Sequence, residues 1–362
     1  MTAAPVVFVN STGNVSGAEA VLLALLGRAL AGGHRVTVAA PSGPLLQRLP
    51  AAVRHVELPS LGLSDGTGSG HRAVAGARLA ARWVRAARIL RPVVREPGAR
   101  TIVNSLLALP AVSLARPPGG ASWLVHDTVH QGRQARLVRA SRSVLRRAVA
   151  VSEATAAPLR RVGMPVVVAT NGVRWPVEAA PLTPHAPPVV GCLALLTPWK
   201  GHAVLLDAVA GLPGVQLELA GGVFPTDTAY AAALHRRAEE QDLAGRVRFL
   251  GHVDALQVIR RWDVAVSAST SPEACPLSVL EAMSLGVPVV GTDHGGTSEL
   301  LGDGAGLLVP SGDTAALRSA LHSAITDSGF RVSSSTVARR SIATRHDIAQ
   351  TLPAMLMALL AG

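Results

Sequence analysis

Lysine is almost missing from this chain. Of its 34 basic residues only Lys200 is not an arginine. Aromatic residues make up 3% of the 362 positions, and no stacking motif or basic-groove signature of a nucleic-acid binder is present. The two cysteines, Cys192 and Cys275, lie far apart and form no metal-ligand spacing, so they read as reduced thiols of a cytosolic protein. No apolar run reaches the ~20 residues of a membrane span. The opening MTAAPVVFVN has no basic leader and runs straight into a strand, so no signal peptide is expected. No Asp-x-Asp pair is available to hold a divalent metal.

What is present is unevenly distributed. The net charge of +11 comes from the first half: residues 1–180 carry 22 Arg against seven acids, whereas residues 181–362 carry 12 basic against 16 acidic residues. A cationic first half suits an anionic partner, and with nucleic acid ranked lowest, anionic lipid or an anionic acceptor is left. Arg78, Arg82, Arg85 and Arg88 recur at near-helical spacing with Trp83, Leu79, Ile89 and Leu90 between them. A second basic stretch runs from Arg133 to Arg147. Such a helix could lie on an anionic membrane, or its arginine stems could simply cover apolar surface.

Apolar strands alternate with helical stretches through most of the sequence. Val6–Val9 is a short buried strand, a helix follows from about Gly17 to Ala31, and Arg35–Ala39 is the next strand. This is the pattern of a doubly wound parallel sheet. Residues 174–188, RWPVEAAPLTPHAPP, are proline-rich and unpatterned and read as a linker. The pattern gives domains at 1–173 and 189–345. A final helix in 346–362 follows.

The stretch SPEACPLSVLEAMSLGVPVVGTDHGGTSELL, from Ser271, carries the most chemistry. Pro276 is suited to the first position of a helix. The amides of Leu277, Ser278 and Val279 are then free at a helix N-terminus, a ready phosphate site. Glu273 falls in the loop before that helix and Glu281 about one turn inside it. A strand over Val287–Val290 and a helix opening near Thr297 and Ser298 should follow.

Together with FVNSTGNVSGAE, LVHDTVH, AVSEAT, VATNGV, TPWKG, LAGG and RVRFLGHV, in that order, this block resembles the retaining GT-B glycosyltransferases, in particular glycosyltransferase family 4. The resemblance covers nearly the whole chain. It implies an α/β GT-B fold: two Rossmann-like doubly wound domains facing an interdomain cleft, the first on the acceptor side, with the last helix crossing back to it. It implies a metal-independent, hexosyltransferase-type enzyme that takes a nucleotide diphosphate sugar as co-substrate and needs no cofactor.

The resemblance also implies roles. Glu281 would accept from the ribose hydroxyls, Glu273 from sugar hydroxyls, and the amides of His252 and Val253 would lie near the base. Lys200, with the amides near Leu277 and Ser278, would neutralise the diphosphate. Gly17 would let the backbone approach the donor, and His126 would contact the transferred sugar, with Asp127 orienting it or capping the next helix. His130 is expected to be peripheral, and Asn171 and Gly172 to form a turn. His126, Lys200 and Glu273 are the catalytic candidates. Front-face displacement assigns no protein nucleophile.

Two positions depart from the family pattern. Leu195 stands where an Arg usually contacts the diphosphate, and Pro276 cannot donate an N–H where family members can. Three readings stay open: a cell-envelope or glycolipid transferase peripheral to the inner membrane face, a transferase for a small soluble acceptor, and a non-catalytic binding module of the same fold.

Overall fold

The computed structural model describes residues 4–62, 71–129 and 132–361. His130 and the larger part of the 61–70 segment lie outside them. The chain divides into two compact units, Met1–Asn171 with Thr351–Gly362, and Gly172–Gln350.

In the first unit the order is β1 (Pro5–Val9), α1 (Gly17–Ala31), β2 (Arg35–Ala40), β3 (Arg54–Glu57), α2 (His71–Val94), β4 (Arg100–Val103), α3 (Leu109–Ala115), β5 (Ala121–Val125), α4 (Arg133–Ser141), β6 (Leu145–Ala150), α5 (Glu153–Arg161) and β7 (Val166–Val168). The strands pair in parallel as β3-β2-β1-β4-β5-β6-β7. Every residue of β1 and β5 is buried. Strands covered on both faces are largely apolar, and the polar residue of β5, Ser122, finds a carbonyl acceptor.

Trp83 lies among the arginines of α2. It packs against the first unit's core, and its Nε1–H donates to the Leu107 carbonyl at 2.9 Å. An indole with an apolar body and one donor gains more from that carbonyl than from solvent. Arg78, Arg85 and Arg88 are exposed on the same helix, and Arg82 donates to the Ser60 carbonyl at 3.1 Å.

The second unit contains β8 (Val189–Leu193), α6 (His202–Ala210), β9 (Gln216–Ala220), α7 (Thr228–Ala238), β10 (Val247–Gly251), α8 (Ala255–Ile259), β11 (Val264–Ser267), α9 (Leu277–Leu285), β12 (Val289–Thr292), α10 (Gly295–Leu301), β13 (Leu307–Val309), α11 (Thr314–Thr326) and α12 (Ser328–Arg345). Its parallel sheet runs β10-β9-β8-β11-β12-β13. Two elements start away from their expected places. β12 opens at Val289 rather than Val287, and α10 opens at Gly295 rather than near Thr297. The last helix, α13 (Ile348–Leu360), groups from Thr351 onward with the first unit, where the Leu359 carbonyl accepts from Ser122 Oγ at 2.7 Å.

The proline-rich segment is a strap tied down on the second unit. The Arg339 guanidinium donates to the Val177 carbonyl at 3.1 Å and lies 4.7 Å from the Trp175 ring centroid. The Arg260 guanidinium reaches the Glu178 carbonyl at 3.0 Å, and buried Arg331 reaches that of Leu182 at 2.8 Å. Asp263, also buried, accepts from the amides of His185 and Val189 at 3.0 and 2.7 Å. A segment without periodicity still needs partners for its backbone groups, and these side chains supply them.

Candidate functional site

Each sheet reverses its strand order once, between β1 and β4 in the first and between β8 and β11 in the second. Loops leaving the strand ends at such a switch go to opposite faces and open a crevice. The candidate residues of each unit gather there.

In the second unit, β8 leads into the turn that carries Lys200. Gly201 has φ +72°, and a Cβ there would lie 1.9 Å from the Ala268 carbonyl oxygen. Only glycine lets this turn settle on the chain leaving β11. Lys200 Nζ then sits 2.5 Å from Glu273 Oε1, with the two side chains 17% and 10% exposed. The hydroxyl of buried Ser269 donates to the same carboxylate oxygen. The ammonium also lies 4.1 Å from the Trp199 ring centroid, and that ring is 41% exposed. On its other side Glu273 is held through its backbone: Gly296 N–H donates to its carbonyl at 2.8 Å.

Four residues later α9 begins. Pro276 is the residue before the first turn, with φ −67° and ψ 120°, so the helix starts at Leu277, one position later than the sequence suggests. A proline cap has no side-chain acceptor, and none caps this helix. Among the described residues nothing accepts from the amides of Leu277, Ser278 or Val279. Those amides carry the positive end of the helix dipole, roughly half a unit charge.

Glu281 lies one turn further in. No described residue hydrogen-bonds its carboxyl group. Burial, and then the charge of Asp254, push its pKa up to about 7. Asp254 caps α8, accepting from the Gln257 amide at 3.1 Å, and directly follows His252 and Val253. The GHV turn is thereby brought to the Glu281 end of the site. The second unit so aligns a lysine–glutamate pair, free helix amides and an unpartnered carboxyl group, a series complementary to hydroxyls, an anion and a diol.

In the first unit the strand ends beside the switch carry polar residues. Buried Asn10 and Asn104 follow β1 and β4, and half-buried His126 follows β5. His126 Nε2 is 3.0 Å from Asn104 Oδ1. Burial lowers the imidazole pKa to about 4, so the ring is neutral at pH 7. Gly17 is exposed at the start of α1. Asp127 is exposed beside His126. Asn10, Glu19, Asn104, Trp199 and Ser269 were not singled out from the sequence. The only signal was polar residues directly after buried strands.

Residues 173–341 match the sequence profile of the glycosyl transferases group 1. The second unit belongs to that family. Part of the chain is 35% identical over 151 residues to the lipopolysaccharide core biosynthesis glycosyltransferase LpsE of Rhizobium meliloti, covering 41% of this chain and 43% of that protein. A segment of 154 residues is 32% identical to the D-inositol 3-phosphate glycosyltransferase of Mycolicibacterium smegmatis, covering 42% and 36%. The matched segments thus span about two fifths of these relatives. Anabaena Alr3699/HepE, solved in complex with UDP and glucose, superimposes with a TM-score of 0.80 at 22% identity, covering 99% of this chain and all of that one. The fold is therefore GT-B.

Within this group 1 domain, Leu195 brings no charge to the Lys200 turn. His202, two residues after Lys200, does not replace the missing cation. Burial, then the Lys200 charge, hold its pKa at about 4. Lys200 is the ion-pair partner of Glu273 among the described residues. No group of three or more His, Cys, Asp or Glu side chains stands together among them.

Proposed function

We propose that the chain is a retaining glycosyltransferase that moves a sugar from a nucleotide diphosphate sugar to an anionic acceptor. The observation that carries this reading is Glu281, a half-buried carboxyl group that no described residue hydrogen-bonds, one turn behind free helix amides and the Lys200–Glu273 pair. A ribose diol offers two donors to such a carboxylate, which has acceptor sites to spare. The diphosphate would meet the α9 amides and Lys200, and hydroxyls of the transferred sugar would meet Glu273. His126 and Gly17 of the first unit would contact the same donor, and the His252 and Val253 amides its base.

The diphosphate gains charge as the glycosidic bond breaks. Preorganised positive charge there stabilises the transition state more than the ground state. In this reading the leaving diphosphate also helps remove the acceptor proton, so no side chain acts as nucleophile, general base or metal ligand.

UDP-glucose is the first donor to test, because a structural neighbour binds UDP and glucose. The acceptor is taken to be a cell-envelope glycan or glycolipid, reached from the cytoplasmic side of the membrane. The arginines exposed on α2 and α4 and the likeness to a lipopolysaccharide core enzyme favour this. A small phosphorylated acceptor is the second reading, favoured by the likeness to a D-inositol 3-phosphate enzyme. Melting of the protein in the presence of nucleoside diphosphates and their sugars tests donor binding. A ligand at 100 times its Kd stabilises the fold by about 2.7 kcal/mol. Slow hydrolysis of the stabilising donor tests turnover. A protein that no nucleotide stabilises would end this reading, and one that binds but never cleaves would be a binding module.

A further inference from the structure

We propose that Asn10, Asn104 and Glu19 form a positioning relay that fixes His126 as the Nε2–H tautomer and leaves Nδ1 as a bare acceptor for a hydroxyl of the ligand. The last clause rests on the proposed contact between His126 and the transferred sugar. The first does not.

The argument starts at the end of the relay where direction is unambiguous. The Glu19 carboxylate accepts from the Ser16 amide at 3.0 Å, from the Ser16 hydroxyl, and from Asn10 Nδ2 at 3.1 Å. The same Asn10 nitrogen donates to the Thr12 carbonyl at 2.9 Å. Both partners of this nitrogen can only accept, so the Asn10 amide cannot be turned round. Its Oδ1 must then point the other way, where it accepts from Asn104 Nδ2 at 3.0 Å. This fixes the second amide in turn, and Asn104 Oδ1 is the atom 3.0 Å from His126 Nε2. An amide oxygen cannot donate, so the imidazole must carry its proton on Nε2. Direction is thus passed from a carboxylate through two amides to a ring nitrogen, across three chain segments.

Burial supports the relay. Asn10, Asn104 and Glu19 are 0%, 2% and 4% exposed, so reversing either amide would set oxygen against oxygen where water cannot intervene. Glu19 closes the far end of the relay, and Asp127 directly follows the histidine in sequence. Burial alone lowers the imidazole pKa to about 4, so Nδ1 gains no proton near neutrality. A neutral ring with its only N–H already used can accept but cannot donate. His126 therefore suits a sugar hydroxyl and does not suit a group that only accepts.

The test is nitrogen NMR of the full-length chain labelled at histidine, with the His126 signals assigned by their loss in His126→Ala. The expected result near pH 7 is one fixed tautomer, Nε2 protonated and Nδ1 not, unchanged down to about pH 5. Protonation at Nδ1, an equal mixture of tautomers, or titration near the free-imidazole range would overturn the relay. Asn104→Leu should release the lock and mix the tautomers, with kcat lowered roughly tenfold, the scale of one neutral hydrogen bond. Asn104→Asp places an anion against Nε2–H and should raise the imidazole pKa by about one to three units. If Asn104→Leu keeps the wild-type tautomer, Asn104 is not the lock. If His126→Ala turns over as fast as wild type, the acceptor role falls even where the tautomer is as stated. The wild-type spectrum needs no substitution at Asn104, so it decides the tautomer even if those variants fold poorly.

Discussion

Nucleotide binding should depend on pH through Glu281. The group titrates near 7, raised by burial and by Asp254. If only the carboxylate can accept from both ribose hydroxyls, affinity follows its ionised fraction, about nine tenths at pH 8 and roughly 3% at pH 5.5. The affinity of a nucleoside diphosphate should then fall about 30-fold between these values, or ~2 kcal/mol. The terminal phosphate of the ligand also titrates, near 6. The quantity to measure is therefore the difference between wild type and Glu281→Gln at each pH, from which the ligand's own proton cancels. Calorimetry in buffers of different ionisation enthalpy should show proton release by the wild type below pH 7 beyond that of the variant. Parallel pH profiles for the two proteins would refute the reasoning.

The stability of the protein alone should show the opposite trend. A carboxyl group titrating at about 7 when folded and 4.5 when unfolded holds more protons in the folded state between those values. Its contribution is favourable below pH 4.5 and is lost as pH rises toward 7. The loss is on the order of 3 kcal/mol, so Glu281→Gln should melt higher than wild type at pH 8.

Three further outcomes are expected. Lys200→Ala should lower kcat by on the order of 10²–10³, the scale of deleting one preorganised contact to developing charge; near-normal turnover would remove Lys200 from the mechanism. Calorimetry with the bare diphosphate should show Glu281→Ala weakened and Glu273→Ala nearly normal, with transfer impaired in the latter; the reverse order would exchange their assignments. Replacing Arg78, Arg82 and Arg85 with Gln should weaken binding to acidic vesicles, and the binding of wild type should fall with salt as exposed charges are screened over ~10 Å at 0.1 M; a chain that ignores such vesicles at low salt would favour the small-acceptor reading.

The two doubly wound sheets were legible because strands buried on both faces leave continuous apolar runs, as β1 does. α1 was read over its observed span, Gly17–Ala31. Lys200 stood out as the single lysine, and Glu273 and Glu281 by their spacing around Pro276. The relay to His126 was not legible, because Asn10 and Asn104 are 94 positions apart and no local pattern links them. The side on which Trp83 falls was left open, because spacing along a helix does not place a boundary indole, and the Leu107 carbonyl decides it. The helix start at Pro276 was misplaced by one residue. Proline tolerates either of two adjacent positions there, having no amide to lose in the first turn.

The strap over residues 174–188 bears on where this chain can be cut. Composition marks it as dispensable sequence, yet Arg260, Arg331, Arg339 and Asp263 all spend hydrogen-bonding capacity on it. A fragment opening at Val189 would strip the buried Arg331 guanidinium of the Leu182 carbonyl and leave Asp263 with one backbone donor fewer. The natural seam is nearer residue 172, where the second unit begins, one residue before the match to the group 1 family starts. Expressed alone, the second unit should keep its fold only if it carries this proline-rich preface. A protease attracted by its loose-looking composition should find the segment already held.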